Sequence, residues 1–250
     1  MSPIWEACRE RVAPAPLEGT IYRLVESQEQ VATNALVATF AEQALLEDLL
    51  ERSKPPLPQG SSRLHYLLAT PFRYPPLAWG SRFGTRFEPS LFYGSRSRDT
   101  VLAESAYYRF VFWSGMSVPP PEPLETQHTL FGASIGTTRA LQLQAPPFDE
   151  YAAILTDRQT YAATQALGAA MREAGIDAFE YRSARDPRGG INVALYTPAA
   201  FAASEPNGLH EWLCETSAAT VRFYSRHGGG LVEHPLATFL VAGKLPAPPH

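Results

Sequence analysis

Apolar residues recur at helical spacing in three stretches of the chain. Leu36, Val37, Phe40, Leu45, Leu46 and Leu49 form one such series, and Ser27 with Gln30 makes a capping-box start, which predicts a helix ending near Ser53. Asp99 stands where a cap is needed for a helix from Thr100 to about Trp113, closed by Ser114-Gly115. Asp157 heads a third, with Tyr161, Leu167, Ala170 and Met171 as apolar positions and Gly175 as the stop. Short strand-like runs surround them: Leu91–Tyr93, Thr129–Phe131, Leu141–Leu143, Ala178–Tyr181, Ile191–Tyr196, Val221–Tyr224 and Thr238–Val241. Strands outnumber helices and do not alternate with them regularly, so the pattern predicts an α+β fold and not a doubly wound sheet.

Prolines punctuate this pattern at Pro55–Pro58, Pro75-Pro76, Pro119–Pro123 and Pro146-Pro147. The segments between these breaks are too short to hold separate cores, so one domain over residues 1–250 is expected. With 45% hydrophobic residues the chain can bury one substantial core. A net charge of −4 removes the bulk electrostatic case for direct nucleic-acid binding, while leaving room for a local basic pocket. Cys8 and Cys214 build no disulfide framework, and the scattered histidines offer no metal-ligand spacing, so no metal is expected. The first residues lack the apolar stretch of a secretory signal and no run is long enough to span a bilayer. The expectation is a cytoplasmic protein with free thiols and no membrane contact.

Several local motifs bear on chemistry. Gly132-Ala133-Ser134-Ile135-Gly136 matches the letters of a nucleophile elbow, which requires a helix directly after the serine. The residues that follow alternate like a second strand, so Gly136-Thr137-Thr138 is read as a hairpin turn and the hydrolase reading is set aside. Gly228-Gly229-Gly230 lacks the Lys-Ser/Thr of a phosphate loop and is also read as a hairpin turn. Trp79-Gly80-Ser81-Arg82-Phe83-Gly84-Thr85-Arg86-Phe87 sets arginines among glycines and aromatics, which suits either guanidinium contacts to an anion or a solvated hairpin. A strand ending in Tyr93 follows, and then a helix whose Val101, Glu104, Tyr108 and Val111 share one face. A carboxylate on that face must meet a partner or a cavity, because burying it unpaired is costly. Structural ion pair and functional acid both remain open for Glu104. Tyr181-Arg182-Ser183-Ala184-Arg185 is a later island of the same character, at the end of a strand.

Taken in order, Tyr22-Arg23, Gly80-Ser81-Arg82-Phe83, Leu91-Phe92-Tyr93, Leu102-Ala103-Glu104 and Tyr181–Arg185 resemble the motif series of the RES-domain family, toxins of bacterial toxin–antitoxin pairs. The resemblance covers a core of about residues 20–200. Two departures stand out. The interval between Arg23 and Arg82 is long and holds an inserted stretch at about 50–75, and Arg182 occupies the place of the family's usual proline. Beyond about residue 200 the chain adds a C-terminal β extension.

The resemblance implies an ADP-ribosyltransferase-like fold, with central mixed or antiparallel sheets and flanking helices. It also implies NAD+ as substrate, cleaved at the nicotinamide–ribose bond. Glu104 then stabilises the oxocarbenium-like ribose, Arg82 and Arg23 neutralise the pyrophosphate, Tyr93 contacts the nicotinamide ribose beside Tyr22, and Ser183 orients the ligand or Glu104. Partners implied are NAD+ and a helix-turn-helix antitoxin that itself holds the DNA; self-association stays open. The acceptor of ADP-ribose, whether water, phosphate or a target protein, has no readable motif. A glycohydrolase or phosphorylase, a protein ADP-ribosyltransferase and a catalytically idle interaction module are the three readings.

Overall fold

The computed structural model describes residues 2–27, 37–227 and 229–247. Among the described residues, eight strands form one mixed sheet: β1 (Ala15–Glu26), β2 (Phe92–Ser95), β3 (Leu124–Gln142), β4 (Ala178–Arg182), β5 (Ile191–Leu195), β6 (Asn207–Thr216), β7 (Thr220–Ser225) and β8 (Gly230–Pro235). Their order is β1-β2-β5-β4-β3-β6-β7-β8, and β1 also pairs with β3, so the first five strands close into a ring from which β6–β8 extend. The β3–β4 pair is parallel and every other pair is antiparallel. Helices α1 (Pro3–Cys8), α2 (Phe40–Ser53), α3 (Tyr66–Arg73), α4 (Arg98–Ser114), α5 (Ala152–Leu155) and α6 (Ala162–Glu173) flank the strands. The α+β class read from the sequence is therefore the class observed.

Three apolar clusters hold these layers. Phe83, Phe148, Leu167, Met171 and Phe179 are buried with α1 and α6 on one side. Ile21, Phe92, Phe131 and Val193 meet Leu68 and Phe72 of α3 in a second. The third joins Leu102, Ala106 and Phe110 of α4 to Trp212, Val221 and Phe223 of the C-terminal strands. The extension past residue 200 thus forms the platform under the helix that carries Glu104.

The largest correction concerns β3. The expected turn at Gly136-Thr137-Thr138 is absent, and one strand of 19 residues runs through both runs read as separate. Pairing explains the difference. β1 matches Thr137, Gly136, Ile135 and Ser134 in unbroken register, while on the other side Ala202 N–H donates to the Ser134 carbonyl. With partners on both sides, backbone groups that a turn would expose are satisfied in the ladder. Ser134 lies mid-strand, its hydroxyl accepting from Asn207 Nδ2, with no helix behind it.

Helix starts also shift. The cap of α2 is Thr39 with Glu42 in a reciprocal capping box; Gln30 and Leu36 of the expected start lie outside the described residues, and Ser27 instead hydrogen-bonds Thr129. No side chain of α2 is buried, so its leucines do not join the core. Ser97, not Asp99, caps α4, because Ser97 Oγ is the acceptor that Thr100 N–H finds. Asp157 accepts from Gln159 and Thr160 N–H and shapes the turn before α6, which starts at Ala162. The expected strand over Thr238–Val241 is a short 3-10 turn, Leu236–Phe239, set by the packing of Phe239 under α4. Of the triplet read as a hairpin turn, Gly229 precedes β8 and Gly230 opens it opposite Ser225 of β7, while residue 228 lies outside the described residues.

Candidate functional site

A cleft of about 360 Å³ opens where β1 leaves β2, which it touches at the single pair Tyr22–Ser95. One wall is the loop that carries Arg82. Gly80 turns it with φ +72°, and a Cβ there would collide with the Gly84 carbonyl, so only glycine lets Ser81 N–H reach Gly84 O at 2.7 Å. Gln165 Nε2 on α6 donates to the carbonyls of Trp79 and Ser81 at 3.1 and 3.0 Å. Gly168 of the same helix lets the loop approach, since any side chain there would meet the Phe83 backbone. Phe83 is fully buried edge-on to Phe179 and Tyr181, both at 4.8 Å.

Tyr93 ties this loop to the sheet. Its hydroxyl lies 2.8 Å from Ser81 Oγ and accepts from Phe83 N–H at 3.3 Å, and burial pushes its pKa up to about 12. The hydroxyl is therefore a fixed neutral group, with the ring forming the wall.

Glu104 stands on α4 one turn past the buried Thr100. Its Oε1 accepts from Ser183 Oγ and from Asn192 Nδ2, both at 2.6 Å. The direction of these bonds follows from the backbone. Ser183 Oγ already accepts from the N–H groups of Arg185 and Asp186, so its one proton points to Glu104. Asn192 Oδ1 accepts from Ser95 Oγ at 2.6 Å, which leaves its amide hydrogens for the carboxylate. Oε2 receives no bond among the described residues and remains for the cleft. The Ser183 turn is itself clamped to α4, because Asp186 Oδ2 accepts from Thr100 Oγ1 at 2.9 Å. Burial raises the Asp186 pKa, but the bonds from Arg188 and Thr100 outweigh it and hold the carboxyl below its ordinary range.

Three arginines line the same cleft without a carboxylate. Arg23 Nη1 donates to the Tyr93 carbonyl at 2.7 Å, its guanidinium sits 5.0 Å over the Phe92 ring, and its Nε is buried with no acceptor. Burial lowers its pKa to about 10, so it keeps its charge at neutral pH. Arg82 Nη1 donates to the carbonyls of Leu155 and Asp157, with its guanidinium 4.7 Å from the Tyr161 ring centre. Arg185 is buried against Tyr107. Among the described residues none of the three forms an ion pair.

The match to known families now has a setting. Residues 57–220, well over half of the chain, match the RES domain. The chain belongs to the RES domain family. A comparison with curated proteins found no match. Arg82, Tyr93, Glu104 and Ser183 fall within the RES match, whereas Tyr22 and Arg23 precede it and reach the site through the β1 ladder. Of the six residues singled out from the sequence, Tyr22, Arg23, Arg82, Tyr93 and Glu104 line the cleft, and Ser183 stands behind Glu104. Tyr22 also receives the Arg98 guanidinium over its ring, at 5.5 Å.

Sequence reasoning missed two residues of this RES site. Asn192 was passed over inside an apolar strand, although an amide in Ile-Asn-Val-Ala-Leu at the centre of a sheet is a signal in itself, since a buried amide needs partners. Arg185 stands in the Tyr181–Arg185 motif, whose arginines suit an anion by residue type, but nothing in its spacing tells a buried arginine from a solvated one.

Proposed function

We propose that this RES protein cleaves NAD+ at the nicotinamide–ribose bond, in an ADP-ribosyltransferase-like fold, and acts as a growth-inhibiting toxin restrained by an antitoxin. The observation that carries the chemical part is the state of Glu104: one oxygen held by two donors, the other free in a cleft lined by uncompensated arginines. Breaking the glycosidic bond develops positive charge on the ribose, as in glycoside cleavage. A fixed carboxylate oxygen stabilises that charge more than the ground state, because it needs no reorganisation as the bond breaks. At about 4 Å and an effective dielectric of about 20, such a pair is worth roughly 4 kcal/mol, or about a thousandfold in rate.

The arginines supply the opposite sign for the pyrophosphate. Arg23 is charged, half-buried and without a carboxylate, and its Nε is covered with no acceptor, so a phosphate oxygen beside it gains a charge-assisted bond and removes an unmet donor. Tyr93, with its hydroxyl fixed, offers its ring to the nicotinamide ribose. Ser183 works through Glu104 and is no nucleophile, since its proton and both lone-pair directions are committed.

The test is nicotinamide release from NAD+ by the purified protein, with and without phosphate, beside Glu104→Gln. Gln retains an oxygen to accept from Ser183 and Asn192, so the variant is expected to fold normally and to lose about a thousandfold in rate. Full activity in the variant would remove the assignment. Dependence on added phosphate sorts phosphorolysis from hydrolysis.

A further inference from the structure

We infer that Arg185 and Arg82 together form an anion subsite around Tyr161 that takes a phosphate oxyanion, an inference that rests on reading this cleft as the substrate site. Arg185 is 2% exposed. Its guanidinium carbon lies 3.6 Å from the Tyr107 ring centre, and Nη2 donates to the Arg158 carbonyl at 3.1 Å and to the Tyr161 hydroxyl at 3.3 Å. Nη1 is buried with no acceptor. Arg82 lies against the ring of the same Tyr161. One tyrosine thus holds a guanidinium on its face and another on its hydroxyl, and the acceptors both arginines use in the chain are all neutral.

Of the adjoining acids, Glu104 keeps one free oxygen on the same wall, and the other two are engaged elsewhere. The Asp157 carboxylate accepts from Gln159 and Thr160 N–H, and Asp186 is held by Thr100 and Arg188. Three guanidinium groups share the cleft with one carboxylate, so positive charge is in excess, and a buried donor without an acceptor is costly. A phosphate oxyanion answers both conditions: its charge balances two cations, and its several oxygens meet the planar forks of two arginines. A neutral ligand leaves both charges unbalanced, and a monocarboxylate leaves one. Arg23 lies apart from this pair, at the backbone of Tyr93, whereas Arg82 belongs to the loop that holds the Tyr93 hydroxyl. The cleft then has two cationic ends with Glu104 also on its wall. The phosphate comes either from the dinucleotide itself or from free inorganic phosphate.

Calorimetric titration of the Glu104→Gln protein with inorganic phosphate, with NAD+, and with phosphate in saturating NAD+ tests this without turnover. The expected result is a bound oxyanion whose affinity falls at least about tenfold in Arg185→Gln, with unchanged circular dichroism, and recovers in part in Arg185→Lys, which restores charge without the fork. Phosphate excluded by NAD+ identifies the dinucleotide's own phosphates as the occupant; both bound together identifies a separate phosphate, and either supports the subsite. If Arg185→Gln fails to fold, Tyr161→Phe decides, because it removes the hydroxyl that orients Arg185 and keeps the ring under Arg82. The inference is overturned if the parent binds neither phosphate nor NAD+, or if the folded Arg185 and Tyr161 variants bind both as the parent does. Nicotinamide release by the unsubstituted protein tells the two failures apart: release that depends on Glu104 keeps the proposed reaction while the subsite falls, and no release overturns both.

Discussion

Two depressions on this molecule treat charge in opposite ways. The larger, about 540 Å³, lies on the outer face of the sheet among Glu26, Glu125, Glu215 and Arg222. Arg222 there donates to Glu233 at 2.6 Å and to Glu215 at 2.9 Å across neighbouring strands, so the charge is already balanced by the chain. The smaller cleft holds three arginines paired with nothing but carbonyls, a hydroxyl and ring faces. Between these two, volume favours the first and unmet charge chooses the second. An arginine with its carboxylate beside it has finished its work in folding, whereas a buried one without a partner carries a cost that a ligand can remove.

A further arginine sharpens the contrast by being half-buried and paired with a buried carboxylate. Arg96 Nε donates to Glu180 at 2.6 Å, and Glu180, 6% exposed, also accepts from Gln142 and Gln144. Removing that carboxylate leaves a cation unpaired, so Glu180→Ala is expected to lower stability by about 3–5 kcal/mol. Urea unfolding measures it, and a loss under about 1 kcal/mol would mean the pair is solvated after all.

His128 shows the chain refusing charge near the outer groove. Burial and then the nearby Arg109 lower its pKa to about 4, below the ordinary value of about 6.5. The unfolded chain therefore takes up the proton first. Stability is full above about pH 6.5 and declines as pH falls toward about 4, by on the order of 3 kcal/mol. His234, also lowered by burial, acts in the same direction. Unfolding curves at pH 7.5 and 5 should separate in the parent and close up in His128→Gln; an equal gap in both proteins would assign the effect elsewhere.

Arg23→Met removes a half-buried cation that has no carboxylate. Stability is expected to hold or rise by about 1 kcal/mol while NAD+ binding to the Glu104→Gln protein weakens about tenfold. A variant that unfolds more easily and binds as before would make Arg23 a structural residue. The smallest effect belongs to Arg222→Ala, where exposed pairs contribute under about 1 kcal/mol and catalysis should be untouched.

What could be read from the sequence follows the same division. Residues that meet a cleft through local motifs were visible: the Gly80–Gly84 loop, the strand into Tyr93, and the helix carrying Glu104. The pairing of β1 with β3 was not, because a strand of 19 residues interrupted by Gly132 and Gly136 is held by long-range partners that spacing does not reveal. Helix caps slipped by two residues at α4 because Ser97 and Asp99 are both good caps and only the fold selects one. Asn192 and Arg185 stayed hidden for a related reason: their meaning lies in which partners they have, or lack, once the chain is folded.

The most direct measurement follows nicotinamide release from NAD+ by the parent, Glu104→Gln and Glu215→Gln side by side. The account expects release by the parent and by Glu215→Gln alike, with loss of about a thousandfold in Glu104→Gln. Equal rates from all three would contradict it, for the free oxygen in the small cleft would then count for no more than a carboxylate already paired in the large one.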